Sequence, residues 1–122
     1  MIKNIRNVLA LVSFSPGTNP LDKELMKCDA TYFKSRLLEL LSSPMEPTDL
    51  LHALKLAILL KANVVGCTFN DIKRSYKDDY SPMVEYWENQ DTASIKTRIK
   101  EAIASGSIVG VMLLLVVLAS KP

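Results

Sequence analysis

The chain has 122 residues, of which 48% are hydrophobic and 23% charged. This length fits one domain, which can bury a core without metal ions or disulfides, and the apolar content excludes a disordered chain. The formal net charge of +2, from 15 basic and 13 acidic side chains, is too balanced for a dedicated nucleic-acid coat. We therefore expect a single helical domain over residues 1–122, because Leu, Lys, Ala, Ile and Glu are common.

Few side chains are suited to metal or redox chemistry. Cys28 and Cys67 form no Cys-x-x-Cys pair, and His52 is the only histidine, so a Cys/His zinc site is nearly excluded. We expect two free, buried thiols in a reducing compartment, with a disulfide between them left open. The lack of an Asn-x-Ser/Thr acceptor favours an intracellular, cytoplasmic location. No cofactor and no metal ion is expected.

The amino-terminal segment predicts a first helix from about Ile2 to Ser13. Its apolar residues recur at helical spacing, and the Pro- and Gly-containing segment 15–20 then ends it. A signal peptide is the alternative interpretation. The apolar run of residues 8–12 is short for one, and no small-residue cleavage motif follows it.

Two helices are predicted next, a short one over residues 22–27 and a longer one ending at Leu41. Pro20 suits the first turn of the short helix. Asp29 or Thr31 is expected to cap the longer one, since both side chains accept hydrogen bonds from free N–H groups.

A broadly apolar helix is predicted from Thr48, as its N-cap, to Val65, with Gly66 as the terminator. Its polar stripe is narrow and contains His52, Lys55 and Asn63. Such a helix has to be covered on several sides.

Three further helices follow. Asn70 is expected to cap a short helix through Tyr76, and Ser81-Pro82 begins another. Asp91 or Thr92 begins an amphipathic helix that runs to about Ala104, and segment 105–107 breaks it.

The terminal segment 108–119, IVGVMLLLVVLA, has no charged or strongly polar side chain. As a helix it would be about 18 Å long, too short to cross a bilayer core of about 30 Å. We expect a buried core helix, with a subunit interface, a membrane anchor and, because of its β-branched residues, a buried strand as alternatives. The predicted fold is all-α: a compact bundle of five to seven helices around an apolar C-terminal helix.

Catalysis finds little support in the sequence. A Ser-His-Asp or Cys-His site would have to use His52, which shares a polar stripe with Lys55, where solvated side chains are usual. No phosphate-binding glycine loop is present. We predict no catalytic, cofactor-binding or metal-binding residues and no enzymatic activity.

The favoured function is a helical protein–protein interaction module that self-associates, as a homodimer. Small size, few glycines and no catalytic constellation are typical of a viral or host-directed accessory protein. Aromatic and Met side chains are common at interface hot spots, which predicts partner binding through Met83, Tyr86 and Trp87. Self-association is predicted through one face of the terminal helix, which includes the second glycine of a Gly-x-x-x-Gly match: Gly110, Val111, Leu114, Val117 and Leu118.

Two alternative functions come from other classes. The chain could bind RNA or DNA through two basic clusters with an adjacent tyrosine for base stacking: Lys73, Arg74, Tyr76, Lys77, Lys96, Arg98 and Lys100. In the second alternative, segment 108–119 would associate with a membrane. For the favoured function, a carboxylate placed at Leu114 should abolish folding or assembly, because an unpaired buried charge costs several kcal/mol.

Overall fold

The computed structural model describes residues 5–76 and 81–120, and of residues 5, 6, 81–83 and 120 it describes the backbone alone. The described residues form eight α-helices and no strand, which confirms the predicted all-helical fold. In chain order the helices are α1 (Ile5–Leu9), α2 (Pro20–Leu25), α3 (Ala30–Leu41), α4 (Pro47–Val65), α5 (Phe69–Ser75), α6 (Ser81–Glu88), α7 (Thr92–Ser105) and α8 (Ile108–Ser120).

The terminal helix α8 is the centre of the bundle. Every residue from Val111 to Leu118 is at most 6% exposed, so α8 is buried on all sides over two turns. Helices α4, α7, α6 and α1 pack against it. The core location predicted for segment 108–119 is therefore confirmed, and the strand alternative is wrong.

Helix α4 is the second buried element and packs against α3, α5 and α8. Its buried side chains include Leu54, Ile58 and Leu60, all fully enclosed. Gly66 ends it with φ 76°, as predicted, since a left-handed residue suits this position and only glycine adopts it without strain.

Several predicted helix starts are confirmed, and at α3 and α7 the structure decides between the two candidate caps in favour of Asp29 over Thr31 and Asp91 over Thr92. Pro20 opens α2, and the carboxylates of Asp29 and Asp91 accept N–H bonds at the starts of α3 and α7. Two other caps were assigned wrongly. Helix α4 starts two residues earlier than expected, with Glu46 and not Thr48 as N-cap, and Thr68, not Asn70, caps α5 in a reciprocal bond pair with Asp71.

The described part of the first helix is shorter than the predicted segment 2–13. Helix α1 ends at Leu9, and the bonds from the Leu11 and Val12 N–H groups span three residues, which marks a tight final turn. The chain then extends, and the ring of Phe14 packs against Phe69 at 5.3 Å between centroids. The ammonium group of half-buried Lys73 donates to the Val12 carbonyl, so a tertiary bond replaces the missing helical one.

The glycines of the Gly-x-x-x-Gly match have separate roles within the chain. Gly106 ends α7 with φ 81°. A Cβ on Gly110 would lie 3.2 Å from Ser107 Oγ and 3.9 Å from Ala102 Cβ, so this glycine faces the end of α7. The motif therefore serves the α7–α8 junction of the same molecule.

We predict that Leu114→Ala lowers the free energy of unfolding by about 3–5 kcal/mol, because it leaves a cavity inside the core. Leu21→Ala is the matched control. Leu21 is 76% exposed, so the same truncation there should change stability by less than about 0.5 kcal/mol. Urea denaturation followed by circular dichroism measures both, and equal losses would contradict the central position of α8.

Candidate functional site

Helix α6 presents an aromatic pair at the surface. The Tyr86 side chain is 60% exposed, whereas Trp87 is half-buried and packs against the core. Their rings meet edge to face, with centroids 5.1 Å apart and planes at 86°. This contact favours the observed orientation of the Tyr86 ring. The side chain of Met83, the third residue predicted here, lies outside the described residues.

The residues predicted for self-association on α8 lie inside the bundle. Val111 and Val117 are fully buried, and Leu114 and Leu118 are 2% and 6% exposed. Half-buried Gly110 faces α7. Their surface is covered by helices of the same chain, so the contacts they make here lie within the monomer. The same burial covers the residues on which the membrane alternative depends.

The first basic cluster is largely engaged within the chain. Lys73 Nζ donates to the Val12 carbonyl at 2.6 Å and lies 5.8 Å from the centre of the Phe69 ring. Arg74 pairs with Asp71 one turn earlier. Tyr76 is 4% exposed, so its ring is not open to stacking with a base. Lys77 lies outside the described residues.

The second basic cluster spreads along α7. Lys96 Nζ donates to the Ser43 carbonyl at 3.2 Å. Arg98 lies 3.9 Å from the Glu101 carboxylate, and Lys100 is exposed. The three cations therefore have different neighbours and do not converge on one phosphate-sized site.

A buried ion pair was missed by the sequence interpretation. Asp22 is 1% exposed, and its Oδ1 accepts from Lys55 Nζ at 2.8 Å while its Oδ2 accepts from the Ser15 N–H at 2.9 Å. Helical spacing could have indicated the burial of Asp22. It lies three residues before Leu25 and therefore shares the buried face of α2. With both oxygens engaged and out of reach of solvent, this carboxylate joins α2 to α4 and has no access to a substrate.

His52 is half-buried beside this pair, one turn before Lys55 on α4. Burial lowers its pKa below the ordinary 6.5, and the charges of Arg36 and Lys55 lower it further, against the smaller opposing effects of Asp49 and Asp22. His52 is therefore neutral at pH 7.

The two cysteines are free thiols. The expectation that both are buried is wrong, because Cys28 is half-buried and Cys67 is exposed. Both line one cleft of about 210 Å³, near the junctions α2–α3 and α4–α5. This volume is below that of typical small-molecule sites.

Metal-binding and membrane-spanning features were sought in the described ranges 5–76 and 81–120. Within them, no three His, Cys, Asp or Glu side chains come together as metal ligands would. No single helix there has both the length and the apolar character needed to cross a membrane, although α4 and α5 together, bent by 103°, meet those criteria.

Comparisons with known proteins identify no relative of this chain. No protein-family model, no curated protein and no solved structure matches this chain.

We predict that Lys55→Met lowers the free energy of unfolding by about 3–5 kcal/mol, because it leaves the buried Asp22 carboxylate without its cation. The double variant Asp22→Leu with Lys55→Met should recover most of this loss, because it removes both charges. A double-mutant cycle by urea denaturation measures the coupling. A double variant as unstable as the sum of the two single ones would contradict a paired, buried carboxylate.

The free energy of unfolding should also depend on His52 as the pH falls from 7 through the ordinary histidine pKa of 6.5. Below 6.5 the unfolded chain takes up a proton at His52 that the folded chain binds only at lower pH, so acidification lowers the free energy of unfolding. His52→Gln should flatten this dependence. His52 is the only histidine, and side-chain carboxylates ordinarily titrate at lower pH, so the window is diagnostic. An unchanged slope in the variant would contradict the assignment.

Proposed function

We propose that this chain is a protein–protein interaction module that self-associates through the α6 surface, and that it acts by binding and not by catalysis. The observation that carries this proposal is the 60% exposed Tyr86 ring fixed on half-buried Trp87. An exposed aromatic side chain that is already ordered loses little conformational entropy on binding. Tyr and Trp are also the residue types that dominate interface energetics.

A second copy of the chain is a suitable partner because α6 and α7 carry exposed side chains of opposite charge. Glu85 is exposed beside Tyr86 on α6, and Lys100 is exposed on α7, the next helix in the chain. In a two-fold dimer each contact occurs twice, so the acidic α6 of one copy can face the basic α7 of the other in both directions. The buried residues of α8 are not needed for this contact. The proposed self-association surface therefore lies on α6 and α7 and not on α8, where the sequence predicted it.

We predict that Tyr86→Ala weakens self-association by about tenfold or more, as loss of a hot-spot aromatic does. Sedimentation equilibrium over a range of protein concentrations measures the dissociation constant. Raising the salt concentration should also weaken the dimer, because exposed charge pairs are screened.

Tyr32→Ala is the matched control for this experiment. Tyr32 is 43% exposed on α3 and also meets a neighbouring ring edge to face, that of Phe33, at 6.1 Å. Its removal should leave the dissociation constant unchanged. A wild-type chain that is monomeric at every concentration would contradict self-association, and a larger effect of Tyr32→Ala would contradict the assignment to α6.

A further inference from the structure

A cavity of about 670 Å³ lies where the end of α8 meets the α3–α4 connection and the first turns of α4 and α7. Its volume falls within the range of small-molecule sites, roughly 300–1,000 Å³. Neither Tyr86 nor Trp87 lines it, and nothing in the proposed self-association uses it.

The walls of the cavity are mainly apolar. They are formed by half-buried Met45 and Leu50, together with Leu118 and Ala119 of α8 and two proline rings, Pro44 and Pro47. Moving a hydrocarbon group from water to apolar walls of this kind is favourable. The cavity is therefore suited to the hydrocarbon tail of a ligand.

One charged side chain, Lys96, lines the cavity beside the hydroxyl-bearing residues Thr92, Ser42 and Ser43. The bond from Lys96 Nζ to the Ser43 carbonyl holds the ammonium at the wall of the cavity and uses one of its three donors. Asp91 already caps the Ser94 N–H at the start of α7, so the preference for an anion depends on Lys96 and not on the helix dipole.

We propose that this cavity binds an amphipathic small molecule with a single hydrocarbon tail and a carboxylate head. The tail lies between Met45, Leu50 and Leu118, and the head accepts a charge-assisted hydrogen bond from Lys96. Bulk apolar surface and one fixed cation are the two features that such a ligand requires of a site.

Decanoate is the test ligand, used below its micellar concentration with the full-length ¹⁵N-labelled protein. Saturable amide shifts should appear in segment 42–50 and around Lys96. Lys96→Met, which keeps the length of the side chain and removes its charge, should weaken decanoate binding by about tenfold. The same variant should bind decanol, with the same tail and a neutral head, as the wild type does.

Two further variants make the result decisive. Lys34→Met, at an exposed position on α3 that does not line the cavity, is the matched control and should bind decanoate normally. Met45→Trp should weaken the binding of both ligands, because the larger side chain takes up part of the space for the tail. The proposal is overturned by non-saturable shifts, by shifts located elsewhere, or by equal losses in the Lys96 and Lys34 variants.

Discussion

Every side chain of helix α8 from Val111 to Leu118 is apolar and buried. This constrains the arrangement of every other helix. A helix that is apolar all round can be stable in water only if neighbours cover its whole circumference. Helices α4, α7, α6 and α1 supply that cover. Because α4 is itself broadly apolar, it needs its own cover from α3 and α5. The fold is therefore two buried helices enclosed by amphipathic ones.

This arrangement decides which surfaces remain for function. The most hydrophobic segment is used inside the monomer, so recognition depends on side chains that the bundle leaves outside, such as Tyr86. The enclosure is also incomplete at one end of the bundle, where Leu118 lines the cavity beside the α3–α4 connection. Both features follow from covering a long apolar core with short helices, since short helices leave gaps where their ends meet.

The sequence predicts most of the fold because helix periodicity and helix-ending residues are local signals. Gly66 and Gly106 could be assigned as terminators because a left-handed residue is nearly always glycine. Caps were missed where several capping residues lie close together, as with Thr68 and Asn70. The site was less predictable. Adjacent Tyr86 and Trp87 point in different directions on a helix, and periodicity alone does not tell which one the tertiary neighbours cover.

The Asp22–Lys55 pair could not be predicted in full, because its partners are 33 residues apart and meet only in the folded chain. Its role follows from the apolar character of α4. Hydrophobic burial alone distinguishes weakly between rotations of a helix that is apolar round most of its circumference. A shift of one residue turns Lys55 by about 100°, which would leave the buried Asp22 carboxylate without its cation. The pair thus penalises wrong rotations of α4, and it holds α2, which at six residues is too short to be stable alone, in one position against the core.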